Sequence, residues 1–229
     1  MNIAGMQKSS TIDFPGNLAC VLFTRGCNMD CFYCHNRALL SGSGPLLPQQ
    51  EVAEFLQRRA GLLDGVVISG GEPTLQPDLQ PFLQQIKSLG YQTKLDTNGQ
   101  LPEIVAQLLE AGLLDYVAVD VKAKREDYQT VTGRKEGFDL ALETLALCKM
   151  AGIGYEARTT VYAGLREQDV EDIARALPQG LPRWRLNPYR LPEEYRPVEA
   201  LRVRLPALTK RDLEALLPAL RQWQPGVVI

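Results

Sequence analysis

At 229 residues, 45% hydrophobic and 23% charged, the chain has ordinary globular composition, which excludes disorder, collagen and coiled coil. Its 25 Lys and Arg against 27 Asp and Glu give a net charge of -2, so no bulk electrostatic pull draws it to nucleic acid or to an anionic membrane. No apolar run approaches the roughly 18 residues of a membrane span, and residues 1–16 lack the apolar core of a signal peptide, so the cytoplasm is the expected compartment.

In chain order, strand-length apolar runs at 18–24, 65–69, 92–97, 116–122, 154–161 and 183–187 alternate with amphipathic stretches at 48–59, 77–89, 102–111, 138–150 and 167–177. A last helix is expected at 210–222. Strict βα alternation predicts a parallel sheet with right-handed crossovers. With six units rather than the eight of a closed barrel, the expected fold is α/β, an open partial (βα)6 barrel. One domain is expected over residues 1–229, its core at about 17–190 and a covering loop and helix at 191–229.

Alternation within the strands places charge. Val117, Val119 and Val121 share one face of 116–122, and Ala118, Asp120 and Lys122 share the other. Helices are expected to cover the valines, leaving Asp120 and Lys122 in the lumen near the strand's carboxyl end, where βα enzymes place their chemistry. The same parity sets Lys94 with Asp96, Glu156 with Arg158 and Thr160, and Arg185 with Asn187. Buried charges are tolerated when paired or when they bind something, so a ligand carrying both charges is the economical reading. The alternative is that some of these strands face solvent.

Five cysteines are present, an odd number, and Cys27, Cys31 and Cys34 fall in a C-x3-C-x2-C spacing directly after the first strand. Thiolates are soft ligands suited to iron–sulfur clusters or zinc. Three on one loop leave a fourth position open, as in catalytic rather than structural metal sites. Cys20 lies inside the first strand, over about 10 Å from the loop at about 3.3 Å per residue, and Cys148 lies in a helix, so both read as core. A Cys3His zinc set would need His35, which directly follows Cys34, whereas zinc ligands are normally two or more residues apart. A zinc-stabilised binding module without chemistry is the competing reading from another class. His35, the only histidine, reads as a loop residue or ligand contact.

The set Cys27, Cys31, Tyr33 and Cys34 resembles the signature of the radical S-adenosylmethionine (SAM) enzymes. Its continuation Cys34-His35-Asn36 is similar to the glycyl-radical-enzyme activases, among them those of pyruvate formate-lyase and of anaerobic ribonucleotide reductase. Gly70-Gly71-Glu72-Pro73, Asp96-Thr97-Asn98-Gly99 and Asp120-Val121-Lys122 follow in the order those activases show them, so the resemblance spans roughly residues 8–190.

The resemblance implies the radical SAM fold and one [4Fe-4S] cluster on Cys27, Cys31 and Cys34. It implies SAM on the open iron, and reductive cleavage to a 5'-deoxyadenosyl radical that abstracts hydrogen. Tyr33 is implied at adenine, and Gly70, Gly71 and Glu72 at the methionine ammonium. Asp96 and Lys122 are implied at the ribose and carboxylate, with Arg158 as a second carboxylate clamp and Asn187 near adenine. His35, Asn36 and Asn98 complete the implied cofactor contacts. Asp96, Thr97 and Asp120 match positions that hold a monovalent cation. The chain departs where pyruvate formate-lyase activases place a histidine after the sixth strand; it reads Asn187-Pro188-Tyr189-Arg190, and Tyr189 is expected to stack there instead.

The implied function is an activase that installs a glycyl radical on a partner enzyme, which the lead-in at 8–16 suggests is an anaerobic ribonucleotide reductase. Flavodoxin or ferredoxin is the implied electron donor, with neither nucleic acid nor membrane as partner. A radical enzyme acting on a small molecule or peptide is the alternative within the class. Basic residues gathered at 191–211, with Arg183 and Arg185, suggest a docking face for an acidic or polar partner, the competing reading being a solvated face.

Overall fold

The structure, a computed structural model, describes residues 1–40 and 44–229. Its strands are β1 (Ile3–Ser10), β2 (Ala19–Thr24), β3 (Gly65–Gly70), β4 (Gln92–Thr97), β5 (Tyr116–Asp120), β6 (Gly154–Val161), β7 (Trp184–Pro188) and β8 (Val227–Val228). Among the described residues they form one open sheet in chain order, with β1 antiparallel to β2 and every later neighbour parallel. The helices are α1 (Arg37–Leu40), α2 (Gln49–Arg59), α3 (Leu79–Ser88), α4 (Pro102–Glu110), α5 (Tyr128–Thr132), α6 (Gly137–Ala151), α7 (Glu167–Ala176) and α8 (Lys210–Leu220). None of the helices among the described residues is long and apolar enough to cross a membrane.

The six parallel strands expected from the sequence are β2 to β7, each within two residues of its expected limits. Two edge strands were not expected. β1 has no clean two-residue period, because Gln7, Lys8 and Ser9 are all exposed on its outer half, and β8 is only two residues long. The segment 191–206 is not a bare loop but carries two 3-10 turns, Pro197–Glu199 and Arg202–Arg204.

Strand parity divides the interior as expected. Cys20, Leu22, Val66, Ile68, Leu95, Val117 and Val119 point outward, fully buried under apolar residues of α2, α3, α4 and α6. Cys148 of α6 is buried in the same core, so Cys20 and Cys148 take no part in the cysteine loop. On the inner face, Ala19, Val21 and Val67 surround Phe14, which the turn at Pro15-Gly16 folds across the amino end of the lumen. Gly65 permits this closure, since a Cβ there would lie 2.8 Å from the Phe14 ring.

Candidate functional site

At the carboxyl ends of β2 to β6 lies a pocket lined by all three loop cysteines. The cysteine loop leaves β2 and is stitched to the β3 exit by Gly71 N to Thr24 O, 2.9 Å, and Glu72 N to Gly26 O, 2.8 Å. The approach is so close that a Cβ on Gly71 would lie 2.0 Å from the Gly26 carbonyl oxygen. Gly70 sits at φ 114°, where a Cβ would lie 2.4 Å from Thr24 N. The two glycines are therefore required by backbone packing under the loop, whatever else their exposed edges contact.

Further along, the loop is held from the opposite wall. Asp30 N donates to Thr132 O at the end of α5, and Tyr33 Oη donates to Lys122 O. Phe32, Tyr33 and Tyr162 pack as an aromatic wall, with Tyr33 and Tyr162 stacked at 5.0 Å between ring centroids. From above, the 195–206 strap locks on. Arg196 donates to Asp30 at 2.6 Å and to Glu199, while Arg37 donates to Asp30 at 2.9 Å and lies 3.3 Å from Glu199. The Arg202 guanidinium stacks 3.9 Å from the Phe32 centroid.

Part of the expected docking face is used within the chain. Arg196 and Arg202 are engaged with the cysteine loop, Arg204 donates to Tyr195 Oη, and Arg183 faces Glu156 at 3.3 Å. Three of these cations, Arg196, Arg202 and Arg204, thus fasten the strap. Tyr189 likewise donates to Val203 O at 2.8 Å, which ties it to the strap.

In the lumen, the charges expected from parity pair with one another. Lys94 Nζ reaches Asp96 at 2.6 Å, Arg158 bridges Asp96 at 3.0 Å and Asp120 at 2.9 Å, and Lys122 Nζ donates to Asp120 at 2.7 Å. Burial alone would raise the Asp120 carboxyl, but the Arg158 and Lys122 cations outweigh it and hold the group at about 2. Asp96 is likewise lowered, Arg158 and Lys94 overcoming the penalty of burial. Lys122 is raised despite its own burial, chiefly by Asp120. A ligand is therefore not needed to neutralise this lumen, which corrects the economical reading above. Lys122 still holds two ammonium protons beyond the one given to Asp120, enough to meet an incoming carboxylate.

Glu72 is placed beneath the pocket rather than in it, wholly buried. Oε1 accepts from Thr74 N, Thr74 Oγ1 and Thr97 Oγ1, and Oε2 accepts from Asn98 N at 2.7 Å. Its carboxylate thus joins the β3 and β4 exits, a positioning role that differs from the expected contact with an ammonium group. Asn187, in register with Thr160, is also absent from the pocket lining. The other expected contacts, Tyr33, His35, Asn36, Gly70, Gly71, Asp96, Thr97, Asn98, Asp120, Lys122 and Arg158, come together there. Met29, Leu40, Ser69 and Thr160 join them. Of these, Thr160 was signalled by strand parity alone, and Met29 only by lying between two cysteines.

The donor set suits a cluster. Cys27 Sγ accepts from Met29 N at 3.4 Å and from Asn98 Nδ2 at 3.8 Å, the kind of N–H contact that supports a cluster thiolate. Burial pushes the Cys31 thiol up to about 12 and raises Cys27 as well, so metal binding would displace their protons. Among the described residues no three His, Cys, Asp or Glu converge on a point that one ion could occupy. Three thiols lining one pocket suit a cluster, which offers each thiolate its own iron.

Residues 21–177 match the family model described as the Radical SAM superfamily. The chain is 38% identical over 184 residues, 76% of its length and 75% of the relative's, to a Methanocaldococcus jannaschii protein provisionally named a glycyl-radical enzyme activating enzyme. It is 34% identical over 145 residues to the pyruvate formate-lyase-activating enzyme of Clostridium pasteurianum, covering 60% of each chain. Its fold superposes on Streptococcus suis SuiB bound to S-adenosylmethionine with a TM-score of 0.65 at 16% identity, over 86% of this chain and 46% of that one.

Proposed function

Starting from the fact that this chain belongs to the radical SAM superfamily, we propose that it is an activase that generates a glycyl radical on a partner enzyme. The observation that carries the reading is the convergence of Cys27, Cys31 and Cys34 with Gly70, Asp96, Asp120 and Lys122 in one pocket. Members of this family use a [4Fe-4S] cluster and SAM, which together supply reductive cleavage and hydrogen-atom abstraction. Cys27, Cys31 and Cys34 are the residues to hold the cluster. The free protons of Lys122 and the unused nitrogen of Arg158 meet a carboxylate. Tyr33 offers adenine an aromatic neighbour, and the Phe32, Tyr33 and Tyr162 wall keeps water from that side. Asp96, Thr97 and Asp120 are the residues for a monovalent cation, although Arg158 now lies between the two carboxylates.

A protein substrate is supported by the names of the M. jannaschii and C. pasteurianum relatives. An anaerobic ribonucleotide reductase is the partner favoured by the lead-in at 8–16, and flavodoxin or ferredoxin the donor. The test is electron paramagnetic resonance on the reduced protein with SAM and a candidate partner. A doublet on the partner that vanishes with a Gly→Ala change there is expected. Replacing Cys31 with Ala should abolish iron and sulfide after anaerobic reconstitution, while Cys148→Ala retains both. Full iron in the Cys31 variant, or no doublet with any glycyl radical enzyme, overturns the reading.

A further inference from the structure

The cysteine loop has two faces. Cys27 and Met29 look into the pocket, whereas Asn28 between them floors a second, shallower groove on the far side, with Leu75, Gln100, Leu101, Arg134 and Lys135. Successive residues of the loop thus line two different cavities.

Groove and thiol are joined by hydrogen bonds. Arg134 Nε donates to the Asn28 carbonyl, and Gln100 N donates to Asn98 Oδ1 at 3.1 Å. Asn98 Nδ2 in turn reaches Asn28 Oδ1 at 2.8 Å and Cys27 Sγ at 3.8 Å. A group seated in the groove therefore lies one side chain from a sulfur of the cysteine set.

The groove's character is cationic around an apolar centre. Leu75 is 39% exposed. Arg134 and Lys135 are exposed and make no ion pair among the described residues. The 15-residue helix α6 begins at Gly137, adding the positive end of its dipole. Against these stands one exposed carboxylate, Glu136.

We propose that this groove is the docking surface for a small acidic electron-carrier protein that reduces the cluster. The inference rests on Cys27, Cys31 and Cys34 holding a [4Fe-4S] cluster. In the step, the reduced carrier gives up one electron and the cluster passes from the 2+ to the 1+ state; no bond forms or breaks. Entry from this side leaves the pocket free for the substrates.

The experiment uses the anaerobically reconstituted holoenzyme, with flavodoxin hydroquinone as the protein reductant and dithionite as the small one, each followed by absorbance in stopped flow. The double variant Arg134→Glu/Lys135→Glu is expected to slow reduction by flavodoxin about tenfold or more at low salt, with the difference shrinking as salt rises. Dithionite should reduce it at the wild-type rate. Calorimetric titration with oxidised flavodoxin should show the matching loss of affinity. Because Arg134 touches the loop, Lys135→Glu alone, whose side chain makes no hydrogen bond or ion pair among the described residues, is the control for folding; it should retain all its iron and lose about threefold in the flavodoxin rate. Unchanged flavodoxin rates in both variants, or equal slowing of both reductants in Lys135→Glu, overturns the proposal. Failure of the wild type to take up iron would instead remove the cluster reading beneath it.

Discussion

Glu72 illustrates how far a residue's chemistry depends on where its oxygens point. A carboxylate in a Gly-Gly-Glu-Pro stretch after a strand reads as an acceptor for a cationic ligand, yet four donors from Thr74, Thr97 and Asn98 take up both oxygens. Burial raises its carboxyl, while the donors, led by Asn98 N, act to keep it ionised. Glu72→Gln keeps the shape but turns an NH2 group toward one of these donor sets, so the β3 and β4 exits should lose their tie. The expected cost is about 2–4 kcal/mol, by loss of charge-assisted bonds and an unsatisfied buried group, read as a fall in the urea midpoint with unchanged slope. The cysteines, Asp96, Asp120 and Lys122 were legible because each is a chemistry-bearing type at a strand's carboxyl end. The functions of Glu72, Gly70 and Gly71 were not, since a close approach between two loops 45 residues apart leaves no local pattern.

At the scale of elements, the strands β2 to β7 were legible because their buried faces impose a two-residue period, and the helices because theirs impose 3.6. β1, β8, α5 and the strap were not, since each is short or lacks a period and is held by contacts distant in sequence. The start of α7 shows such a contact. Asp169 accepts from the Arg166 backbone and guanidinium and from Lys124 Nζ at 2.7 Å, joining α7 to the loop after β5. The Arg166 hydrogen bonds, with Lys124 next, hold its carboxyl well below the usual range. A carboxyl depressed on folding stabilises the fold at pH above its unfolded value and loses that contribution as pH falls toward its folded one. Asp169→Asn should therefore cost about 1.5–3 kcal/mol at pH 7. The gap should begin to narrow as pH falls below about 4 and close only toward the much lower folded value, as chemical denaturation at a series of pH values will report.

For the whole molecule, the division of the lumen matters most. Its amino end is apolar and stoppered by Phe14, and its carboxyl end is charged and open. Phe14 is 2% exposed, so Phe14→Ala should cost about 3–5 kcal/mol, measured by thermal or urea unfolding, and should leave iron content intact in the folded fraction. Retention of wild-type stability would show that the lumen floor is closed by something else.

A vessel with a sealed bottom also sets a timetable. On the proposed function, a large partner settling over the mouth would fix an order, the small molecule entering first and its products leaving last. If the proposed protein partner docks over that mouth, the Phe14 stopper leaves a small cosubstrate no second exit through the amino end, and each docking would draw on the one molecule already seated.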